Sequence, residues 1–256
     1  MTALFYLYIF IIGLCVGSFL NVVLFRLDRK KGILTGRSQC QNCLHKLNWY
    51  DLIPIFSYLY LKGNCRYCKS EISIIYPLVE FTAGICILAY FLLHSSVSGI
   101  SIIYYLAILI LFLLLIFFDA LYLILPDKIT FSVIGVSLIF DLIFRNSYFL
   151  NFILSGFLFS LAFAIIYLMS HGQWMGLGDV KLVFGIGLVL GYSLGLVAII
   201  SAIWVAALWG IFLIILKKAN LKTALPFGSF LSASTVIFII FQNVITEKIN
   251  FYFYFF

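Results

Sequence analysis

Residues 111–127 read LFLLLIFFDALYLILPD, and this stretch decides what kind of protein the chain is. Eight apolar residues lead to Asp119, and Pro126 then interrupts a second apolar run just before Asp127. The chain of 256 residues is 65% hydrophobic and only 10% charged, whereas soluble domains carry about 25% charged residues. No soluble core could hide this much apolar surface, so the sequence predicts a protein whose solvent is the lipid bilayer.

Eight apolar segments are candidates for membrane spans, which need about 20 residues each, or fewer when short and buried. The candidates are residues 2–25, 77–94, 99–118, 129–144, 149–170, 181–192, 196–216 and 227–245. The long run 181–216 is interpreted as two spans broken near Gly191 and Gly195. The first segment lacks the basic start and cleavage site of a secretory signal, so it is predicted to be retained. The predicted fold class is an all-α polytopic membrane protein with about eight transmembrane helices.

The basic residues predict the orientation of these helices. Residues 26–76 hold nine lysines and arginines, and placing this segment in the cytoplasm leaves only Arg145 and Lys248 outside. Basic residues concentrate in the cytoplasmic loops of membrane proteins. The net charge of +7 therefore serves orientation, and nucleic acid is not an expected partner because the cations lie in loops beside apolar runs. Residues 119–128 and 171–180 are then both expected at the cytoplasmic surface.

Two cysteine pairs lie in this polar segment, between the first and second predicted spans. They are CQNC at Cys40–Cys43 and CRYC at Cys65–Cys68, separated by 21 residues. Two such knuckles are a strong zinc signature, because four thiolates can close a tetrahedral structural site. Two disulfides are the main alternative, and the cytoplasm disfavours them because it keeps thiols reduced. A redox CxxC would not need a second copy, so a small cytoplasmic zinc-knuckle module is the prediction.

An aromatic stretch, LNWYDLIPIFSYLYLKG at residues 47–63, connects the two knuckles. It is too short to span a membrane. It could form the hydrophobic core of the small module, or it could dock on the headgroup layer, where aromatic side chains are enriched. The sequence leaves both interpretations open.

The chain has few acidic residues, so each aspartate needs its own explanation. Asp141 has Arg145 four residues later, and the two are predicted to form a solvated pair. Asp119 and Asp179 each stand at the cytoplasmic end of a predicted span. A carboxylate on a span is costly and is a functional candidate by default. The alternatives are that Asp179 is a helix N-cap and that Asp119 is an interfacial residue facing water.

Two carboxylates held close together share a proton, so that one acts as a base toward water and the other as an acid. This is the chemistry of aspartyl proteases. Gly176 and Gly178, which precede Asp179, would let the backbone approach an extended peptide without side-chain obstruction. The pattern predicts Asp119 and Asp179 as catalytic residues and the two glycines as substrate-positioning residues.

Several motifs in order carry a family resemblance over nearly the whole chain. They are GSFLNVVLFRL at 17–27, both CxxC pairs, ISIIYPLVE at 72–80, the segment 119–127, GLGDVKL at 176–182 and PFGSFL at 226–231. Together they resemble the type IV prepilin peptidases, which are bifunctional leader peptidases and N-methyltransferases of pilus, secretion and competence systems.

The resemblance assigns roles to particular residues. The family's catalytic aspartates match Asp119 and Asp179, and its zinc-type cysteines match Cys40, Cys43, Cys65 and Cys68. The presence of the cysteine module favours the bifunctional branch. Ser229 stands where many relatives have a second proline. Glu80, in the YPLVE motif, is either a functional residue or an interfacial charge, and this choice stays open.

The resemblance implies an aspartyl endopeptidase of the bacterial cytoplasmic membrane, with its active site at the cytoplasmic face. It would remove the short basic leader of prepilin or pseudopilin precursors and then methylate the new amine from S-adenosylmethionine. The expected partners are these precursors and the bilayer, and the methyl-donor site and oligomeric state are not assigned. The predicted divisions are residues 1–25 as the first span, 26–76 as the zinc module and 77–256 as the membrane peptidase domain.

Three other kinds of function differ in the sequence features that they predict. A peptidase without methyltransferase activity, or a methyltransferase alone, would share the same motifs. A transporter would use Asp119 and Asp179 as an ion relay, but it should show mid-span ionisable residues and inverted repeats. A zinc-ribbon scaffold would need only one or two spans. The run GIGLVLG at 185–191 could suggest a nucleotide loop, but Gly187, Gly191 and Gly195 recur every four residues and indicate a helix-packing face.

Overall fold

A computed structural model describes residues 2–28, 36–94, 99–220 and 223–253 of the chain. Its helices are α1 (Thr2–Asp28), α2 (Phe56–Tyr60), α3 (Ile75–Leu93), α4 (Gly99–Tyr122), α5 (Asp127–Phe144), α6 (Phe149–Met169), α7 (Leu177–Ile215) and α8 (Phe227–Phe253). Two short 3-10 helices lie at Trp49–Leu52 and Asn146–Tyr148. Within these described ranges, β-structure is limited to isolated bridges. The predicted all-α fold class is confirmed.

Six of the described helices are long and apolar enough to cross a membrane, namely α1, α3, α4, α6, α7 and α8. Helix α5 is 18 residues long and carries three charged side chains. Helix α7 has 39 residues, so it would measure about 58 Å if straight, roughly twice the hydrocarbon core of about 30 Å. Counting α5 and the two halves of α7 gives the eight predicted helices.

The break in α7 falls at Gly191, as the sequence predicts. Its φ of 70° and ψ of −169° interrupt the helix, and a positive φ of this kind favours glycine. Carbonyls of the turn before a break lose their helical partners and need other donors. Ser155 of α6 donates to the Gly187 carbonyl at 2.9 Å, and Arg145 donates to the Val189 carbonyl at 3.5 Å. Ser155 and Arg145 therefore supply hydrogen bonds to carbonyl groups of α7 that have lost their helical partners.

The expected pair between Asp141 and Arg145 forms at 3.0 Å, but the expectation that it is solvated is wrong. The Asp141 side chain is 0% exposed. Arg145 is drawn inward because it also bonds the Tyr105 hydroxyl and stacks over the Phe152 ring at 4.4 Å. A buried charge is tolerated when it is paired and hydrogen-bonded in this way.

The predicted glycine face of α7 packs against α6. A Cβ on Gly187 would lie 2.5 Å from the Gly156 backbone, and one on Gly195 would lie 2.8 Å from the Phe159 ring. Small residues let membrane helices approach this closely. The packing interpretation of GIGLVLG is therefore confirmed.

The chain forms two compact units, Met1–Ser95 and Ser96–Phe256. In the N-terminal unit, α1 packs along α3 through Gly13 and Gly17. A Cβ on Gly13 would lie 2.8 Å from the Gly84 Cα, and one on Gly17 would lie 2.5 Å from the Glu80 Cα. The cysteine segment follows α1, although residues 29–35 of the predicted module 26–76 lie outside the described residues. The predicted three-part division of the chain stays a prediction.

The aromatic stretch 47–63 presents large side chains to its surroundings. Trp49 is 78% exposed and Tyr60 is 79% exposed, and Phe56 and Leu59 are exposed as well. The interpretation of this stretch as the hydrophobic core of the module does not fit these side chains. Docking on the headgroup layer stays a prediction.

Candidate active site and metal centre

In the C-terminal unit, the end of α4 and the start of α7 bring two carboxyl groups together. Asp119 lies in the last turn of α4 and is 5% exposed. Asp179 lies in the first turn of α7 and is half-buried. Gly178, beside Asp179, and Gly228, beside the Ser229 that bonds Asp119, both pack against Leu125, so the two carboxyl groups lie at the same end of the unit. The expectation that both aspartates lie at the cytoplasmic surface stays a prediction.

Asp119 is held by the first turn of α8. The backbone N–H of Ser229 donates to Asp119 Oδ2 at 2.6 Å. The Ser229 hydroxyl lies 3.0 Å from the same oxygen and 3.0 Å from the Ile116 carbonyl, so its one proton can reach either acceptor. Hydrogen bonds of this kind favour the ionised form of a carboxyl group.

Asp179 has weaker support. Its Oδ2 accepts one hydrogen bond, from the Gly176 N–H at 3.3 Å. The N-cap of α7 is Gly176, and Asp179 is the third helical residue. The alternative that Asp179 is itself the N-cap is therefore wrong, although its carboxyl group does satisfy a backbone N–H at this helix start.

Leu125 joins the loops around the two carboxyl groups. A Cβ on Gly178 would lie 3.1 Å from Leu125, and a Cβ on Gly228 would lie 2.9 Å from it. Both glycines thus allow a close approach of the LPD segment. The predicted substrate-positioning role of Gly176 and Gly178 stays a prediction, and packing against Leu125 is a second reason for glycine at position 178.

A third aspartate at this end, Asp127, is paired differently. Lys181 donates to Asp127 Oδ1 at 2.7 Å, and both side chains are partly exposed. This places the ammonium group of Lys181 on Asp127, outside the Asp119–Asp179 pair. Asp127 and Lys181 form a surface ion pair next to the candidate site.

The metal centre lies in the N-terminal unit. The Sγ atoms of Cys40, Cys43, Cys65 and Cys68 all lie within 4.8 Å of one another, and those of Cys40 and Cys68 are 3.8 Å apart. A tetrahedral zinc site with bonds of about 2.3 Å sets sulfur separations of about 3.8 Å. All six described cysteines are free of disulfides. The four sulfurs therefore fit a zinc ion, and the disulfide alternative is not supported.

The two knuckles repeat the same backbone pattern. The Cys40 N–H donates to the His45 carbonyl at 3.0 Å, and the Cys65 N–H donates to the Ser70 carbonyl at 2.8 Å. In each knuckle the residue four positions after the first cysteine, Leu44 or Lys69, has a positive φ of 56° or 60°. Each turn aims its two thiols at the other pair, as a closed structural site requires.

The pKa values of the clustered thiols are shifted in opposite directions. Hydrogen bonds from the Ser70 side chain and backbone lower the pKa of Cys68 to about 6. At Cys43 a backbone hydrogen bond at His45 favours the thiolate, but desolvation and the neighbouring thiols raise its pKa to about 11. Four thiols this close oppose one another's ionisation, and a bound metal ion removes that opposition.

Asp51, which lies between the two knuckles in the sequence, connects the segment that joins them to the second knuckle by hydrogen bonds. Its carboxylate accepts hydrogen bonds from Arg66 at 2.8 Å and Tyr67 at 3.0 Å, and from the Asn48 N–H at 3.2 Å. Burial alone would raise the pKa of Asp51, but the Arg66 and Asn48 hydrogen bonds outweigh it and lower the pKa below its usual value. The Tyr67 ring also lies 3.8 Å from the His45 ring, which links the second knuckle to the first.

Comparison with known proteins supports the motif resemblance. Residues 11–94 match the bacterial peptidase A24 N-terminal domain, and residues 105–211 match the type IV leader peptidase family. A protein of Bacillus subtilis named prepilin leader peptidase/N-methyltransferase is 30% identical over 90% of this chain and 91% of its own length. The chain belongs to the type IV leader peptidase family.

Other family members agree over similar lengths. Proteins with the same name from Pectobacterium carotovorum and Aeromonas salmonicida are 30% and 28% identical, and they cover 88% and 95% of this chain and 89% and 93% of their own lengths. No solved structure matches the chain. The resemblance to type IV prepilin peptidases is thereby confirmed.

Two residues of this family member have roles that sequence reasoning missed. Ser229, which differs from the proline of many relatives, donates its backbone N–H to Asp119 and places its hydroxyl within reach of the same oxygen. Asp51 was given no role, yet it anchors the cysteine module. The hydroxyl at position 229 and the Asn48-x-x-Asp51 capping pattern were the available signals, but only tertiary structure shows their partners.

Proposed function

We propose that the chain is an aspartyl endopeptidase that removes the leader from prepilin or pseudopilin precursors and then methylates the new N-terminus. The relatives are named for both activities. The observation that carries the peptidase is the placement of two carboxyl groups, Asp119 from α4 and Asp179 from α7, at one end of the C-terminal unit around Leu125. A water held by such a pair can be activated without any other cofactor.

Asp119 and Asp179 accept different hydrogen bonds, and this difference assigns the base and the acid of the proposed reaction. Asp119, with donors from Ser229, is the ionised member and acts as the general base toward water. Asp179, with one longer hydrogen bond, carries the proton that the two groups share. Water oxygen adds to the scissile carbonyl as its proton passes to Asp119. The carbon–nitrogen bond then breaks and Asp179 protonates the leaving amine.

The cysteine cluster serves as a structural zinc site in this proposal. Cys40, Cys43, Cys65 and Cys68 would hold the ion with all four positions filled by protein, so no position is left for substrate. A closed site of this kind supplies folding energy to the module. Its role is to order the segment between α1 and α3.

Methylation follows from the chemistry of the product. An N-terminal amine has an ordinary pKa of about 7.7–8.0, so part of it is neutral at cytoplasmic pH. S-adenosylmethionine would supply an electrophilic methyl group, which the neutral amine would accept with release of a proton to water, leaving the donor's sulfur as a neutral thioether. The residues that bind the methyl donor are considered below.

The proposed location is the bacterial cytoplasmic membrane, with the aspartate pair at its cytoplasmic face. The excess of lysine and arginine in one set of loops supports this orientation. A precursor whose basic leader stays inside would present its scissile bond at that surface. Accessibility labelling of a cysteine introduced at Asp127 in intact cells tests this, and labelling from the outside would contradict it.

The peptidase assignment is tested with purified protein and a prepilin precursor. Asp119→Asn and Asp179→Asn should each leave the precursor uncut, while Asp127→Asn, which removes a carboxylate from the same end of the unit, should cut it. Zinc content and detergent-solubilised yield report folding of each variant. Cleavage by either active-site variant at the rate of the unaltered protein would refute the assignment.

A further inference from the structure

The N-terminal unit contains a cavity of about 1160 Å³ that the proposed peptidase does not use. It is bounded by the second half of α1, the cysteine module and the start of α3. Sites for drug-sized ligands are typically about 300–1,000 Å³ and combine apolar walls with a few polar groups. This cavity is large enough for a nucleoside carrying an amino-acid tail.

We propose that this cavity binds S-adenosylmethionine, with Glu80 and Asn21 as its main polar contacts. This inference rests on the proposed function, because it supplies the site for the second activity. The ligand has three kinds of group to satisfy: a purine ring, a positively charged sulfonium and an amino-acid end with both charges. The side chains that line the cavity include a carboxylate, an amide, aromatic rings and guanidinium groups, which suit these three kinds of group.

Glu80 is a buried acid in the cavity wall, on α3. It is 8% exposed and sits where α1 and α3 are closest, next to Gly17. Its Oε2 accepts the Ile55 N–H at 2.8 Å, which fixes the direction of the carboxylate. Of the two interpretations left open by the sequence, a solvated interfacial charge does not fit this burial. A fixed carboxylate in a low-dielectric wall stabilises a cation such as a sulfonium.

Asn21 is the independent sign of a ligand. It is 3% exposed on α1 and lines the cavity. Its Nδ2 donates to the Tyr76 carbonyl at 3.0 Å, which sets the orientation of the amide. The Oδ1 atom is buried with no hydrogen-bond partner. Buried acceptors in native proteins are nearly always satisfied, and an amino group of the ligand would satisfy this one.

Aromatic and cationic side chains complete the wall. The rings of Phe25 and Tyr76 stack at 4.7 Å, and the Tyr76 hydroxyl accepts a hydrogen bond from Gln41 at 2.7 Å. A braced aromatic pair is a surface on which a purine stacks. Arg26 and Arg37 also line the cavity, and their charge suits the ligand carboxylate. An anionic lipid headgroup would fit the arginines but would be repelled by Glu80.

Direct binding tests the proposal without relying on catalysis. S-adenosylmethionine, which carries the sulfonium charge, is titrated calorimetrically into the full-length protein in nanodiscs in the absence of any precursor. Glu80→Gln and Asn21→Ala should each weaken binding by about tenfold, while Asp119→Asn and the matched acid-to-amide control Asp127→Asn should bind normally. In the precursor assay, Glu80→Gln should still remove the leader but leave the new amine unmethylated.

Photolabelling of the unaltered protein tests the same proposal and does not depend on whether the cavity variants fold. Radioactive S-adenosylmethionine is irradiated with the unaltered protein, and the labelled peptides are mapped by mass spectrometry. Label within residues 15–80 supports the proposal, and label only within residues 99–253 overturns it. Normal binding by both cavity variants, or the absence of binding by the unaltered protein, also overturns it. None of these outcomes depends on whether Asp119 and Asp179 cut the precursor.

Discussion

The cysteine module and the aspartate pair differ in how far apart their residues lie in the sequence. Each zinc knuckle is built within six residues, and its backbone hydrogen bonds are local. The aspartate site joins Asp119 to Asp179 and to Ser229, which is 110 positions away. A metal site made of short turns can be recognised from spacing, whereas a site made from three helix ends depends on how those helices pack.

This difference predicts that the two regions fail in different ways. Loss of a cysteine should damage a folding unit, because a structural metal site contributes folding energy. Loss of an aspartate should damage a reaction and leave the fold intact.

Removing either active-site carboxyl group should have the largest effect. Asp119→Asn and Asp179→Asn should each lower leader cleavage by about 10³-fold or more, because general acid–base catalysis is worth about 10²–10⁴-fold and the two groups act as a unit. Cleavage is measured by product mass under single-turnover conditions. Zinc content should stay at the level of the unaltered protein, and a loss of zinc would show that the two regions are not separate.

Removing one cysteine of the cluster should have the next largest effect. The effect should fall on the zinc content and stability of the cysteine module. Cys65→Ser replaces the buried thiol of the cluster and should lower bound zinc to a small fraction of the unaltered level. The module should then become sensitive to proteases. Metal analysis and limited proteolysis measure this, with Cys15→Ser, which lies outside the cluster, as the matched control. Full zinc occupancy in the Cys65→Ser form would contradict a four-cysteine site.

Much of this contrast could be predicted from the sequence. The CxxC spacing named all four cysteines of the cluster, and the glycine spacing placed both the break and the packing face of α7. The burial of Asp141 was not predictable, because the groups that draw Arg145 inward, the Tyr105 hydroxyl and the Phe152 ring, lie on other helices. The role of Ser229 was missed for a similar reason, since its partner lies on another helix.

Ser229 gives a graded test of the aspartate site. Ser229→Ala removes the hydroxyl donor, and Ser229→Pro removes the backbone N–H as well, in a first helical turn where proline is tolerated. We expect kcat to fall by about threefold in the first and about tenfold to thirtyfold in the second. These donors stabilise the Asp119 carboxylate, so their loss should move the acidic limb of the pH–rate profile to higher pH.

Other carboxyl groups near Asp119 could also affect the acidic limb of the pH–rate profile, so the control variant is chosen among them. Asp179 is the titratable group on α7 that interacts with Asp119, while Asp127 is paired with Lys181. The acidic limb should therefore keep its position in Asp127→Asn. An unchanged limb in Ser229→Pro, with only a lower rate, would show that Ser229 supports the fold without tuning the reacting carboxyl group.

Asp51 gives the corresponding test in the cysteine module. Asp51→Asn should speed zinc release to a chelator by a fewfold, because it removes the negative charge that pairs with the Arg66 side chain. The folded-state pKa of Asp51 is lowered, so its contribution is present above the ordinary aspartate pKa of about 3.9 and is lost only as pH falls through the folded value. The difference from the unaltered protein should therefore be the same at pH 7 and pH 5.

The surface ion pair should have the smallest effect. Lys181 and Asp127 are both partly exposed, and exposed pairs contribute about 0–1 kcal/mol. Lys181→Met should change leader cleavage by less than about threefold, and its effect should shrink as salt rises. Rates measured at low and high salt check this. A large, salt-independent loss would place Lys181 within the reacting site.

The most direct test of the central claim is the product mass of a prepilin precursor incubated with S-adenosylmethionine and each protein in turn. The unaltered protein should remove the leader and add one methyl group. Asp119→Asn should do neither to the precursor, yet should still methylate a synthetic peptide that begins at the mature N-terminus. A cut product from Asp119→Asn would contradict the assignment of proteolysis to the aspartate pair.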